Sequence, residues 1–227
     1  ENLVSYYRFE SNGTDSSSTN NTLTARNSAT YSSGGKFGYS TSLSNTDSTT
    51  AGSGKCFTGA NVAAISPGTG NFSISMWFKS PSDSRTAATE HYLICKYGNG
   101  GNNMYMLRIT STNGYVVGYY RDGGGNAVTV TASGQSYYDN NWHHLAWIRN
   151  STSGSMYIDG SLINTNSNAS LSNINTNDSN CIFVVGGYSS TTSYPYEAQC
   201  LNGQIDDLAI FNRALSTSEI TYIVTGA

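Results

Sequence analysis

The sequence predicts an all-β fold, a two-sheet antiparallel β-sandwich with a short C-terminal helix, formed by residues 1–227 as one domain. Three observations carry that expectation. Short apolar runs alternate with period two, clusters of Gly, Asn and Ser separate them, and one helix-start signal stands alone near the C-terminus. Strict alternation sends successive side chains to opposite faces of a strand, and turn residues at short intervals mark where the chain reverses.

In chain order, the first run is Leu3–Phe9. The clearest strand is Phe72–Lys79, where Phe72, Ile74, Met76 and Phe78 share one face and Ser73, Ser75, Trp77 and Lys79 the other. The first face is core, and the second is exposed or half-covered. Further runs are Tyr92–Lys96, Met104–Thr110, Tyr115–Tyr120, Val128–Ala132, Trp142–Arg149, Ser155–Ile163, Cys181–Gly186 and Gln204–Phe211. Asp159-Gly160 interrupts the Ser155–Ile163 run, and this dipeptide supplies the two positive φ values of a type I′ hairpin turn. About ten strands joined by loops of mixed length fit two facing antiparallel sheets. Ser216-Thr-Ser-Glu219 is a capping box, with Leu215 and Ile220 placed as a hydrophobic staple, so a helix is expected from Thr217 to about Val224.

Composition narrows the partners. Only 11% of the chain is charged, with net charge −3 and 11 Lys and Arg, which argues against a phosphate-binding face and so against nucleic acid. Low charge alone suits disorder, but 17 Tyr, 7 Phe and 3 Trp are enough rings to build a core. Ser, Thr and Asn supply the polarity, and a neutral hydrogen-bonding surface suits carbohydrate and an extracellular, cell-surface or virion setting. No apolar stretch is long enough to span a membrane as a helix, so no membrane insertion is expected. Cys56, Cys95, Cys181 and Cys200 form no CxxC pair, which makes a zinc site unexpected and leaves three possible pairings open.

Several segments resemble laminin G-like domains of the concanavalin A-like lectin and glucanase superfamily. These are Leu3–Phe9 with the following Asn12–Ser17 loop, Phe72–Phe78, Trp142-His-His-Leu-Ala146, Tyr157-Ile-Asp-Gly160 and, most specifically, Leu201–Ser216 with its Gly-x-Ile-Asp-Asp and Asn-Arg-Ala-Leu-Ser elements. They occur in family order from residue 3 to residue 224. The resemblance implies a jelly-roll sandwich. It also implies that His143 and His144 are structural, and that a Ca2+ ion can pin the first loop to the closing strand. The matching ligands would be Asp15, the amide groups around Asn20 and Asn21, and Asp206. In the alternative reading Asp15 caps a turn and Asp206 accepts backbone N–H bonds in a loop. A ligand-bridging calcium of the pentraxin kind is disfavoured, because the 187–196 loop holds no carboxylate.

Glycosidases of that superfamily carry a Glu-x-Asp-x-x-Glu pattern, and retaining hydrolysis needs two carboxyl groups about 5 Å apart. None of Glu1, Glu10, Glu90, Glu197 and Glu219 has a carboxylate two residues away. Asp206 and Asp207 are adjacent, so their side chains are expected on opposite faces of the strand. The chain is therefore read as non-enzymatic. For carbohydrate, Tyr188, Tyr194 and Tyr196 set flat rings beside Ser, Thr and Pro195, the chemistry on which a pyranose stacks. Tyr137–Asn140 and Tyr119–Asp122 offer similar groups. Trp77 is expected to pack beneath a loop. The leading expectation is a carbohydrate-binding or adhesion module; the alternative is a structural decoration domain of a phage or bacterial surface appendage, whose partners are other protein subunits.

Overall fold

The computed structural model describes residues 2–45, 54–60, 62–82, 90–98, 103–177, 181–189 and 199–226. Two large antiparallel sheets form a jelly-roll-like sandwich. The first sheet runs in the order β1 (Leu3–Tyr7), β15 (Gln204–Phe211), β6 (Phe72–Lys79), β11 (His143–Asn150), β12 (Ser153–Ile158) and β13 (Ser161–Ser167). The second runs β10 (Ala127–Ala132), β9 (Val116–Arg121), β8 (Met104–Ile109), β7 (His91–Gly98), β14 (Cys181–Val185), β5 (Cys56–Gly59) and β2 (Thr24–Arg26). A small ribbon pairs β3 (Thr30–Ser32) with β4 (Ser40–Ser42), and the helix α1 covers Thr217–Thr225.

The alternation in β6 is observed as expected. Phe72, Ile74, Met76 and Phe78 enter the core between the sheets, with Leu145 and Trp147 of β11, Leu107 and Ile109 of β8, and Phe183 and Val185 of β14. The other face of β6 is covered more completely than the sequence suggested, since Ser73, Ser75 and Trp77 are all buried. Three pieces of chain cover it. Ser73 Oγ donates to the Arg213 carbonyl and accepts from the Leu215 amide, tying the strand to the segment that enters α1. Ser75 Oγ lies 2.9 Å from His144 Nε2. Trp77 lies beneath Lys36 and Phe37, with the Lys36 ammonium 4.0 Å from its ring centroid.

The capping box forms as read: Ser216 Oγ accepts from the Glu219 amide, and the Glu219 carboxylate accepts from the Ser216 amide. Leu215 and Ile220 bury against Ala146 and Ile148 on the outside of β11. Asp159 and Gly160 have φ of 51° and 81°, and Ile158 faces Ser161 across a two-residue turn. At one edge of the sandwich, Asn164 and Asn166 of β13 donate side-chain amides to the Thr131 and Thr129 carbonyls of β10, linking the two sheets.

Several boundaries differ for local reasons. The first strand ends at Tyr7, because Phe9 and Ser11 adopt positive φ. The short strands β2 to β5 lacked an apolar alternation long enough to be read. Tyr120, Tyr137 and Tyr138 are core residues, which removes them as sugar platforms.

The Asp206-Asp207 expectation is corrected. Asp206 pairs with Trp77 and Ala209 with Ser75, so Asp207 and Leu208 together face Met76, one extra residue in β15, and Asp207 sits at φ 46°. This bulge breaks the alternation. Asp206 is hydrogen-bonded to the Phe37 amide, and Asp207 lines a cleft with Trp77, Phe37 and Ala209, so both acids lie on the outer face of the six-stranded sheet.

Candidate functional site

Two surfaces bring together the chemistry that the sequence singled out. The first is the outer face of the seven-stranded sheet. Register places Tyr119 beside Met106, Met106 beside Cys95, and Cys95 beside Val184 in one row across β9, β8, β7 and β14. The neighbouring row holds Arg121 beside Met104, and Tyr97 beside Ile182. Alternation sends all of these away from the core, and all but Arg121 form a second apolar cluster with Cys56, Tyr92 and Cys200. Tyr188 follows β14 and packs its ring on this cluster, 4.8 Å from Tyr92 and stacked 5.5 Å from Tyr97.

The rings are only partly covered: Tyr97, Tyr119, Ile182 and Tyr188 are half-buried while Tyr92 is buried. Burial raises the Tyr188 phenol well above its usual range, and the nearby Tyr97 hydroxyl adds to that, so the Tyr188 ring presents a neutral O–H group. A polar rim adjoins the rings. Arg108 pairs with Glu90 at 2.6 Å and reaches the Tyr92 hydroxyl at 3.4 Å. Flat apolar rings, phenol hydroxyls, a guanidinium and a carboxylate on one sheet face are the groups that take up the apolar and hydroxyl faces of a sugar. Of the three tyrosines read from the sequence, Tyr188 is here; Tyr194 and Tyr196 lie outside the described residues. Tyr119 was read within the Tyr119–Asp122 segment, whereas Tyr97 and Tyr92 went unread as ligand groups, although their alternation with core residues was the available signal.

The second surface is a cleft of about 300 Å³ on the outer face of the six-stranded sheet, lined among others by Tyr6, Phe37, Trp77, Asp207, Phe211 and Ile223. Asp207 Oδ1 accepts from the Tyr6 hydroxyl at 2.6 Å. Asp206 is fully buried beside it, with Oδ1 on the Asp207 amide and Oδ2 on the Phe37 amide. Burial lifts the Asp206 carboxyl to about 6, with Asp207 pushing the same way and backbone donors pulling back. Only Asp207 lines the cleft. The pair therefore presents one carboxyl to a ligand, not two facing each other across it, and glycoside cleavage lacks its second group there.

The calcium expectation meets a donor set that is already in use. Asp15 Oδ1 accepts from the Tyr6 and Ser17 amides and Oδ2 from the Asn21 amide, all at 2.9 Å. Those bonds hold its carboxyl below the usual range despite partial burial. Asn20 is exposed with φ 53° at the bend that brings the Asn21 amide onto Asp15. Asp15 thus organises the 15–21 loop while Asp206 organises the 35–37 loop. N–H groups crowd both carboxylates, whereas a hard cation requires six to eight free oxygens. Among the described residues no group of three or more His, Cys, Asp or Glu gathers to hold a metal. The residues present do not fit a shared calcium site.

His143 and His144 face opposite ways on β11, as alternation along a strand requires. His143 lies between Asp159 (Nδ1 to Oδ2, 2.8 Å) and Asp139 (Nε2 to Oδ2, 3.1 Å), and the two carboxylates raise its pKa against the effect of burial. His144 packs against Trp77, and burial lowers its pKa to about 4. Both imidazoles are tied into packing and turn contacts, and neither lines the cleft.

A family model described as the concanavalin A-like lectin/glucanases superfamily, of the laminin G-like type, matches residues 50–221. A comparison with the curated proteins finds no match. Among solved structures, the binding domain of Paraclostridial Mosquitocidal Protein 1 superposes with a TM-score of 0.75 at 20% identity, over 99% of this chain and 52% of that one. The binding domain of Botulinum Neurotoxin DC, solved in complex with SialylT, gives 0.73 at 16% identity over 100% of this chain and 52% of that one. The same toxin domain in complex with rat synaptotagmin II gives 0.72 at 16% identity over 99% and 51%. The chain spans about half the length of the binding domains it matches. At this identity the likeness is one of fold.

Proposed function

The chain belongs to the laminin G-like family of the concanavalin A-like lectin/glucanases superfamily, and from that membership we propose that it is a non-catalytic binding module whose ligand is carbohydrate. The observation that carries the reading is the outward tyrosine patch of Tyr97, Tyr119 and Tyr188, with the Arg108–Glu90 pair at its rim. Rings left half-open on a sheet face are a sugar-stacking surface, and the rim supplies a donor and an acceptor for hydroxyl groups. The cleft beside Asp207 supports the non-catalytic half of the proposal, since it receives a single carboxyl. Such a module works outside the cell or at its surface. Among the described residues no helix is long and apolar enough to cross a membrane.

The related solved domains add support at the level of class: one was solved with SialylT and one with rat synaptotagmin II, a sugar-type and a protein partner. A glycan array with the purified chain tests the proposal, followed by titration of the best glycan against Tyr188→Ala and Tyr97→Ala. Each substitution is expected to weaken binding about tenfold, or about 1.4 kcal/mol, with far-UV circular dichroism unchanged. Absence of binding across the array, with a stable trimer or larger assembly by light scattering, would favour the protein-subunit role instead.

A further inference from the structure

β7 and β14 are neighbours in the seven-stranded sheet, with Lys96 opposite Phe183 and Gly98 opposite Cys181. Alternation sends Lys96 and Cys181 to the inner face, diagonally adjacent, while Cys95 and Ile182 point outward. Both side chains are buried, at 0% and 3% exposure. The Lys96 Nζ donates to Cys181 Sγ at 2.9 Å. That is the length of an ordinary N–H···O bond, although sulfur is the larger atom, so the amine and the thiol are in unusually close contact. The other three cysteines gather on the opposite face of the sheet. Burial pushes the Cys95 thiol up to about 12, which keeps it in its unreactive form.

We propose that Lys96 and Cys181 are a built site for an oxidative covalent cross-link, in which a peroxide joins Cys181 Sγ to Lys96 Nζ. The thiolate is the form of cysteine that attacks peroxide, and the Lys96 nitrogen lies against this sulfur. In the first step the Cys181 sulfur displaces water from one hydrogen peroxide molecule. An S–O bond forms, the O–O bond breaks, sulfur is oxidised to the sulfenic acid and the peroxide is reduced. Sulfenic acids condense with a nitrogen nucleophile held against them, and a backbone nitrogen does so to give a cyclic sulfenamide. Here the Lys96 ε-nitrogen is already in place, 2.9 Å from the sulfur. Its lone pair attacks sulfur, the S–N bond forms as the S–O bond breaks, and hydroxide leaves with the amine proton as a second water. One thiol, one amine and one peroxide give one S–N bond and two waters. Two equivalents of an external thiol reverse the link, returning the cysteine and the lysine and leaving one disulfide in the reductant. The link would clamp β7 to β14, strands 85 residues apart at this point, directly beneath the tyrosine patch.

The test uses the native chain. The folded protein is exposed to hydrogen peroxide, quenched, digested with trypsin without reductant and mapped by tandem mass spectrometry. The expected product is one species joining the Lys96 and Cys181 peptides, about 2 Da lighter than their sum, with cleavage after Lys96 lost. Dithiothreitol restores both peptides. Cys181→Ser, with its fold checked by circular dichroism, is expected to abolish the species. Recovery of Cys181 as a sulfinate, or unmodified, with normal cleavage after Lys96 would overturn the proposal, as would a disulfide between Cys181 and another cysteine.

Discussion

Gly118 offers the sharpest test of how the core is packed. It lies in β9 directly against Trp147 of β11, whose indole stacks on Tyr120 with centroids 4.3 Å apart and planes 15° from parallel. A Cβ at Gly118 would lie 2.4 Å from Trp147 Nε1 and 2.5 Å from Cε2, well inside contact distance. The ring has nowhere to retreat, because Phe72 and Tyr105 close the remaining sides at 5.5 and 6.5 Å. Overpacking of this kind costs about 1–3 kcal/mol, and a ring locked on three sides belongs at the upper end. For a chain of this size, 3 kcal/mol corresponds to a melting temperature lower by about 6–12 °C. Gly118→Ala is measured by urea denaturation followed by tryptophan fluorescence, which also reports the moved indole. Gly125→Ala is the control: nothing lies within 4 Å of its Cβ position, and only its φ of 87° resists the change, so about 1 kcal/mol is expected. A Gly118→Ala protein within about 0.5 kcal/mol of the parent would refute the close packing of Trp147 on β9.

Other outcomes follow from the charged groups. The raised pKa of His143 contributes stability that is fully present below its unfolded value near 6.5 and is lost as pH rises through the folded value. The stability advantage of the parent over His143→Asn should therefore shrink between pH 6 and pH 8 in paired urea titrations; an advantage that grows over that range would contradict the Asp139–His143–Asp159 arrangement. His144, lowered to about 4, acts with the opposite sign: its contribution is present above 6.5 and lost as pH falls toward 4, so His144→Gln should flatten the acid limb of the stability curve. Because amide donors fill Asp15 and Asp206, a chelator should leave the melting temperature unchanged. A rise of several degrees on adding Ca2+, absent in Asp15→Asn, would show that a cation completes this site.

The elements legible in the sequence were those whose signal is local. The alternation of Phe72–Lys79, the Asp159-Gly160 turn and the Ser216–Glu219 capping box each depend on a few neighbouring residues, and each forms as read. Tyr188 was legible as an outward ring, but its partners Tyr92 and Tyr97 come from another strand, and no sequence spacing announces that meeting. That Trp77 packs beneath a loop was legible, but the coverage of Ser73 and Ser75 was not, for the same reason, since their partners His144 and Arg213 lie 69 and 140 positions further on.

Asp206 and Asp207 draw the line most clearly. The period of two in an extended strand predicts opposite faces for adjacent residues, and the sequence alone determined that expectation along with the strand, its core residues and the helix that follows. The tertiary structure decided otherwise, because the register of β15 against β6 accommodates one extra residue and Asp207 takes a left-handed conformation there. Register is a property of two strands brought together from distant parts of the chain. Which face a side chain meets, and which amine lies against which thiol, is fixed only when the sheets assemble.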